Sequence, residues 1–361
     1  MPRRNRKGRD VHGILLLDKP PGGSSNHALQ RVKRLFGAKK AGHTGTLDPL
    51  ATGMLPLCLG EATKLSAHLL DADKGYETTL RLGVTTDSAD ADGRVLEERA
   101  VPVDLDAGTF AAHCAAFEGP QDQVPPMVSA IKIDGRRLYA LAREGVVIER
   151  APRAVVIREL EVLAFDGETA RLRVRCSKGT YIRSLVTDIG ERIGCGAHVT
   201  ALRRTSVAPF EGDGYPMVTL ELLETLVADD ASPEAAYAAL DALLLPPDAG
   251  LEHLREVFVD ATGAARFRAG QDAPVVDAPS GFATPTDPST ATPDAAGDDP
   301  SRGTSTWRVR EPSGRLLGLG TVRSVEREVG DDEASGPSGG GAERRVAPSR
   351  VLQWGSAVDA P

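Results

Sequence analysis

The sequence predicts an α+β chain with a small β-rich region toward its C-terminal end. Three observations point there. Strand-like apolar runs and amphipathic helical stretches intermingle over the first 210 of the 361 residues. Two β-rich runs between Arg153 and Cys176 are split by Asp166-Gly167, a hairpin signal that favours antiparallel pairing. Beyond Phe210 the composition shifts, and short strand-like pieces alternate with low-complexity stretches.

Taken in order, Gly13 to Asp18 is an apolar run closed by Lys19-Pro20-Pro21-Gly22-Gly23, which reads as a buried strand and a turn. Ser24 and Ser25 are N-cap candidates. Leu29, Val32, Leu35 and Phe36 then share one helical face, and Gly37 ends the helix. A second helix is expected after Gly60, through Lys64 and Leu70, and a strand from Tyr76 to Val84. Asp87 to Gly93 carries acidic residues at partial calcium-loop spacing, but Arg99 stands where a closing glutamate belongs, so an acidic hairpin turn is the better reading. Thr180 to Ile193 reads as an amphipathic helix broken by Gly194 to Gly196, followed by a run from Val199 to Val207 that carries Arg203 and Arg204. Leu220 to Leu245 is rich in alanine and leucine and reads as helical. Residues 278–303 and 330–341 lack the apolar content to order themselves. Around them lie strand-like pieces at Val257 to Val259, Thr306 to Val309, Leu316 to Val325 and Val351 to Trp354.

A hydrophobic share of 41% is enough for a real core, and the length argues for more than one domain. The net charge of −8 is misleading, because residues 1–210 hold 31 Lys and Arg against 25 Asp and Glu while residues 211–361 hold 12 against 26. Within residues 1–43 the count is 11 basic to 2 acidic, so the front is a candidate basic surface. The four cysteines form no Cys-x-x-Cys pair and sit near no histidine cluster, which argues against zinc and against a disulfide framework. Reduced, mostly buried thiols and a cytoplasmic setting are expected. No apolar stretch approaches a membrane span.

The chemistry concentrates in Gly42-His-Thr-Gly-Thr-Leu-Asp-Pro-Leu-Ala-Thr-Gly53. Its glycines allow turns and close approaches, and Pro49 biases Asp48 away from helical geometry, so a carboxylate is expected on a stiff loop beside one imidazole, His43. A second segment, Lys178-Gly-Thr-Tyr-Ile-Arg183, brings Tyr181 and Arg183 to the start of a helix, where the guanidinium could hold a carboxylate ionised and oriented. Phosphate-loop, nucleophile-elbow and dinucleotide fingerprints are missing from the sequence.

These segments form an ordered set. Gly13 to Pro20, Ser24-Ser25, Gly42 through Pro56, Gly60-Glu-Ala-Thr-Lys, Tyr76, Lys178 through Leu185, Gly194 through Val199 and Leu202-Arg-Arg resemble, block after block, the TruB-type tRNA pseudouridine synthases. That family isomerises uridine 55 of the tRNA T loop. The resemblance implies a mixed, largely antiparallel sheet with flanking helices in a catalytic domain at residues 11–210, behind a basic tail at 1–10. A helical connector at 211–245 would lead to a small β-barrel, PUA-like domain at 246–355, with the low-complexity stretches as insertions. It implies that Asp48 is the catalytic aspartate, that Tyr76 stacks on the target base and helps move the proton from its C5, and that Arg183 pairs with Asp48. Tyr181 and Leu202 would line the uridine pocket, His43 would enter the T loop, and Lys19 would support the site. Val128 stands where the family commonly has tyrosine.

The reaction breaks N1–C1′, turns the uracil and rejoins it through C5. It is redox-neutral, so no cofactor is expected, and one carboxylate suffices as nucleophile or base. Whether that carboxylate acts on the sugar or the base stays open. The expected partner is the T arm of tRNA, met by a monomer without membrane or guide RNA. Two rival readings are an RNA-binding folding factor and a guide-dependent subunit. Intact Asp48, Tyr76 and Arg183 speak against the first, and the absence of lysine after Lys178 speaks against the second.

Overall fold

A computed structural model describes residues 8–129, 131–133, 135–138, 141, 144–146, 148–229, 232–279, 306–325 and 343–353. The chain divides into two compact units, Met1–Pro247 and Asp248–Pro361. Of the two low-complexity stretches, all but residues 278 and 279 fall outside the described residues, as does Trp354.

The first unit is built on a nine-stranded sheet. Its order runs Val218–Thr219, Gly13–Lys19, Thr52–Leu59, Ala197–Val207, Lys74–Leu82, Thr169–Cys176, Arg153–Phe165 and Gly119–Gln123, with Ala41–His43 also paired to Thr52–Leu59. Most neighbours are antiparallel; Gly13–Lys19 with Val218–Thr219 and Thr52–Leu59 with Ala197–Val207 are parallel. The expected mixed, largely antiparallel sheet is therefore what forms.

The strands follow the period-two rule. In Thr169–Cys176, Ala170, Leu172, Val174 and Cys176 are buried while Arg171, Arg173 and Arg175 face outward. Against the buried face pack the helices Ser25–Leu35, with Ala28, Leu29 and Val32 inward, and Ile182–Ile193, with Ile182, Leu185, Val186 and Ile189 inward. Each of these Val, Leu and Ile side chains contributes about 1.5–3 kcal/mol on full burial. The Ser24 side chain accepts from His27 N, as an N-cap should. Gly194 ends the second helix in the left-handed conformation. Register also sets up the site: Lys19, Gly53, Arg204, Tyr76 and Val174 form one row across five adjacent strands.

Some elements differ from expectation. The helix after Gly60 is a 3-10 turn, Gly60–Lys64, and a short helix, Ser66–Leu70. There Thr63 Oγ1 donates to Gly60 O and Ser66 Oγ to Thr63 O, so side chains compete for the carbonyls a continuous helix would use. The Ala107–Ala115 helix and Gly119–Gln123 strand had no counterpart in the sequence reading. Leu220 to Leu245 forms two helices, Leu220–Asp229 and Pro233–Asp241, whose Leu220, Leu223 and Leu240 join the core of the first unit. Asp87 to Gly93 does turn between paired strands, Val84–Thr86 and Val95–Glu98.

The second unit holds a five-stranded sheet, ordered Glu256–Phe258, Thr306–Arg310, Leu316–Val325, Glu343–Val351 and Ala273–Pro274. A bridge between Phe258 and Val276 links its two edges, which curls the sheet toward a barrel. Val257, Val259, Phe267, Val309, Leu317 and Val346 fill its core, with Phe267 supplied by the helix Ala261–Arg268.

Candidate active site

Asp48 sits on the loop between Ala41–His43 and Thr52–Leu59, and that loop is fastened along its length. Ser25 Oγ accepts from Leu47 N at 2.7 Å and donates to Leu47 O at 3.1 Å. The buried Lys19 ammonium donates to Pro20 O, Pro49 O and Ala51 O at 3.0, 3.3 and 2.8 Å. The buried Arg204 guanidinium donates to Met54 O at 2.7 Å and to Gly45 O at 3.3 Å, tying the two shoulders of the loop together. Gly53 has φ +97°, and a Cβ there would lie 2.2 Å from Arg204 O, so only glycine permits this crossing. The carboxylate is therefore preorganised before any substrate arrives.

Arg183 reaches it from the first turn of Ile182–Ile193. Nε donates to Asp48 Oδ2 at 2.9 Å and Nη2 to Asp48 Oδ1 at 3.0 Å, a two-pronged pair. Nη1 donates to Ser88 O and Nη2 also to Val128 O, each at 2.7 Å, and Asp90 Oδ2 lies 3.6 Å from Nε. The arginine side chain is 2% exposed and that of Asp48 is 31% exposed, so the carboxylate alone opens outward. Burial raises the proton affinity of Asp48, with Asp90 adding to it, while Arg183 and Lys19 pull the other way; the balance lies above the ordinary carboxylate.

The other residues singled out by the sequence gather around this pair to different degrees. Tyr76 and Leu202 are buried in the same core as Leu47. The Asp48 charge acts on Tyr76, Tyr181 and Lys19. Burial pushes both phenols up, so Tyr76 and Tyr181 are neutral at pH 7. Burial brings the Lys19 ammonium down to about 8. His43 ends the short strand entering the loop; burial, then Arg204, lowers its pKa, which keeps the imidazole uncharged. Its Nδ1 is buried without a hydrogen-bond partner. Among the described residues no cluster of three or more His, Cys, Asp or Glu has the makings of a metal site.

With this geometry in place, comparison with known proteins is decisive. The TruB family pseudouridylate synthase N-terminal domain matches residues 33–182, and the tRNA pseudouridylate synthase B C-terminal domain matches residues 183–252. The chain belongs to the TruB family of pseudouridylate synthases. Proteins named tRNA pseudouridine synthase B include one from Vibrio cholerae, 54% identical over 77% of this chain and 88% of its own, and one from Stutzerimonas stutzeri, 51% identical over 87% and 92%. Among solved structures, a Cbf5-Nop10-Gar1 complex contains a chain 26% identical, with TM-score 0.59, over 86% of this chain and 78% of that one.

Within this TruB chain the structure adds residues that the sequence reading missed. Asp90, taken only as part of an acidic turn, is 5% exposed and faces Arg183. Ser25 and Arg204 fasten the Asp48 loop. Gln123 holds the Tyr181 backbone from both sides. Val128, where family members commonly carry tyrosine, serves through its backbone carbonyl, a contact that any residue can make.

Proposed function

We propose that this TruB chain converts uridine to pseudouridine at position 55 in the T loop of tRNA, as a single chain without a guide RNA. The observation that carries this reading is the Asp48–Arg183 pair: a preorganised, partly open carboxylate held by a buried guanidinium, in a chain about half identical to proteins named tRNA pseudouridine synthase B. Half-buried His43, with Tyr76, Tyr181 and Leu202 in the roles the family resemblance implies, suits an everted nucleotide.

In this reading the target uridine swings out of its stack, at a cost of about a few kcal/mol. Stacking on Tyr76 offsets part of it, and the neutral imidazole of His43, its Nδ1 without a hydrogen-bond partner in the structure, takes the vacated place in the loop. The ionised Asp48 drives cleavage of N1–C1′. The uracil turns within the pocket walls formed by Tyr181 and Leu202, C5 bonds to C1′, the C5 proton leaves with help from Tyr76, and N1 regains a proton. Lys19 acts through the loop, since all its bonds go to backbone carbonyls. A cytoplasmic setting agrees with four free, buried cysteines. The second unit would serve as a PUA-like RNA contact.

Four of the described basic residues of the front are paired within the chain. Arg9 pairs with Asp241, Arg31 with Glu224, Lys39 with Asp10 and Lys40 with Glu61. Tight recognition must therefore come from the site and the RNA shape as well as from net charge.

The likeness to a chain of the Cbf5-Nop10-Gar1 complex motivates a second reading, a subunit that works only within an assembly. Purified chain incubated with a bare T-arm transcript separates the two. Product confined to uridine 55 supports the proposal. No product, in a sample that becomes active on adding accessory proteins and guide RNA, supports the alternative.

A further inference from the structure

Ile182–Ile193 starts in an unusual way. Its N-cap is Tyr181, whose side chain makes no capping hydrogen bond, and tyrosine is not among the residues that cap well. The position is instead held from another strand. Gln123, the last residue of Gly119–Gln123, accepts from Tyr181 N at 2.7 Å through Oε1 and donates to Tyr181 O at 3.1 Å through Nε2. The Gln123 side chain is buried, with the residue 2% exposed, and its amide satisfies both backbone groups of a single residue. The chain that follows stays on the same helix start: Ser184 Oγ donates to Val124 O at 2.9 Å and Arg183 Nη2 to Val128 O at 2.7 Å.

We propose that Gln123 is a positioning residue for the isomerisation, fixing the backbone of Tyr181 so that the Tyr181 ring and the Arg183 guanidinium both present correctly to Asp48 and the everted uridine. Only a group with one donor and one acceptor at amide spacing can pair with the N–H and C=O of one residue at once. Tyr181 and Arg183 lie two positions apart on one rigid helix start, so a rotation at Tyr181 displaces both. Among the described residues the Gln123 side chain hydrogen-bonds to the Tyr181 backbone and not to Asp48. Its influence runs through Tyr181, and the inference rests on the function proposed above.

The test is Gln123→Met, which keeps the side-chain volume and removes both hydrogen bonds, with Gln123→Glu as a second variant that keeps the acceptor and loses the donor at neutral pH. Each is assayed as full-length protein on a T-arm transcript, with RNA affinity measured separately from the single-turnover rate. We expect Gln123→Met to lower the rate about thirtyfold, as misplacement of catalytic groups does, with RNA affinity within about threefold of the parent. Full single-turnover rate in both Gln123 variants overturns the inference, as does a loss confined to RNA affinity. If Gln123→Met does not fold, Gln123→Glu alone decides on the same criteria. Absence of pseudouridine with the parent protein would instead count against the proposed function.

Discussion

Arg183 grips Asp48 side-on, with Nε on one carboxylate oxygen and Nη2 on the other, at 2.9 and 3.0 Å. The same guanidinium is also bonded to two carbonyls and faces Asp90. Each of its three nitrogens is thus engaged before RNA binds, and the geometry of the carboxylate is inherited from the helix that carries the arginine.

Lysine cannot reproduce that fork. Arg183→Lys should reduce the turnover number by about a hundredfold, since one ammonium cannot orient both oxygens. Arg183→Met should in addition lower stability by about 3 kcal/mol, because it removes the guanidinium that joins the buried Asp90 to the partly open Asp48. Steady-state kinetics and urea unfolding check the two parts.

The pH profile follows from the carboxylate. Asp48 works ionised, and its proton affinity is raised, first by burial, above the ordinary aspartate near pH 3.9. Activity should therefore decline as pH falls through a midpoint above that value, not at it. Asp90→Asn removes a neighbouring negative charge that contributes to the rise, so its acid limb should move to lower pH. The measurement is kcat/KM against pH for both proteins, which reports the free enzyme.

Gly53 offers a third check. With φ +97° and Arg204 O in the way of any Cβ, Gly53→Ala forces the Thr52–Leu59 and Ala197–Val207 strands apart where Arg204 ties the loop. A stability loss of about 1–3 kcal/mol is expected, with a fall in turnover larger than the loss of RNA affinity. Thermal melting and the same transcript assay read it out.

Much of this was legible in the sequence because local chemistry and tertiary structure agree. Ser24 caps the first helix, Asp166-Gly167 turns the hairpin, and the alternation in Thr169–Cys176 buries one side. The glycine loop and the Lys178–Arg183 segment announced a carboxylate and a guanidinium, and their meeting followed from the family resemblance. Other parts were illegible for physical reasons. Gly119–Gln123 has no β-branched or aromatic side chain and becomes a strand by pairing with Arg153–Phe165. Asp90 looked like a solvated turn residue because spacing cannot reveal that a distant helix delivers an arginine to it. Gln123 opens a segment that resembles the family's, but its role could not be read there, since it lies in a pair of bonds to backbone 58 residues away.

The most direct measurement is the single-turnover conversion of uridine 55 in a T-arm transcript by Asp48→Asn. The substitution keeps shape and a hydrogen-bond acceptor for Arg183 but removes the charge, so product formation should fall by at least about a thousandfold, while the transcript still binds within about threefold of the parent. Pseudouridine appearing at a rate comparable to the parent protein would contradict the role given to Asp48 and, with it, the site described around Arg183.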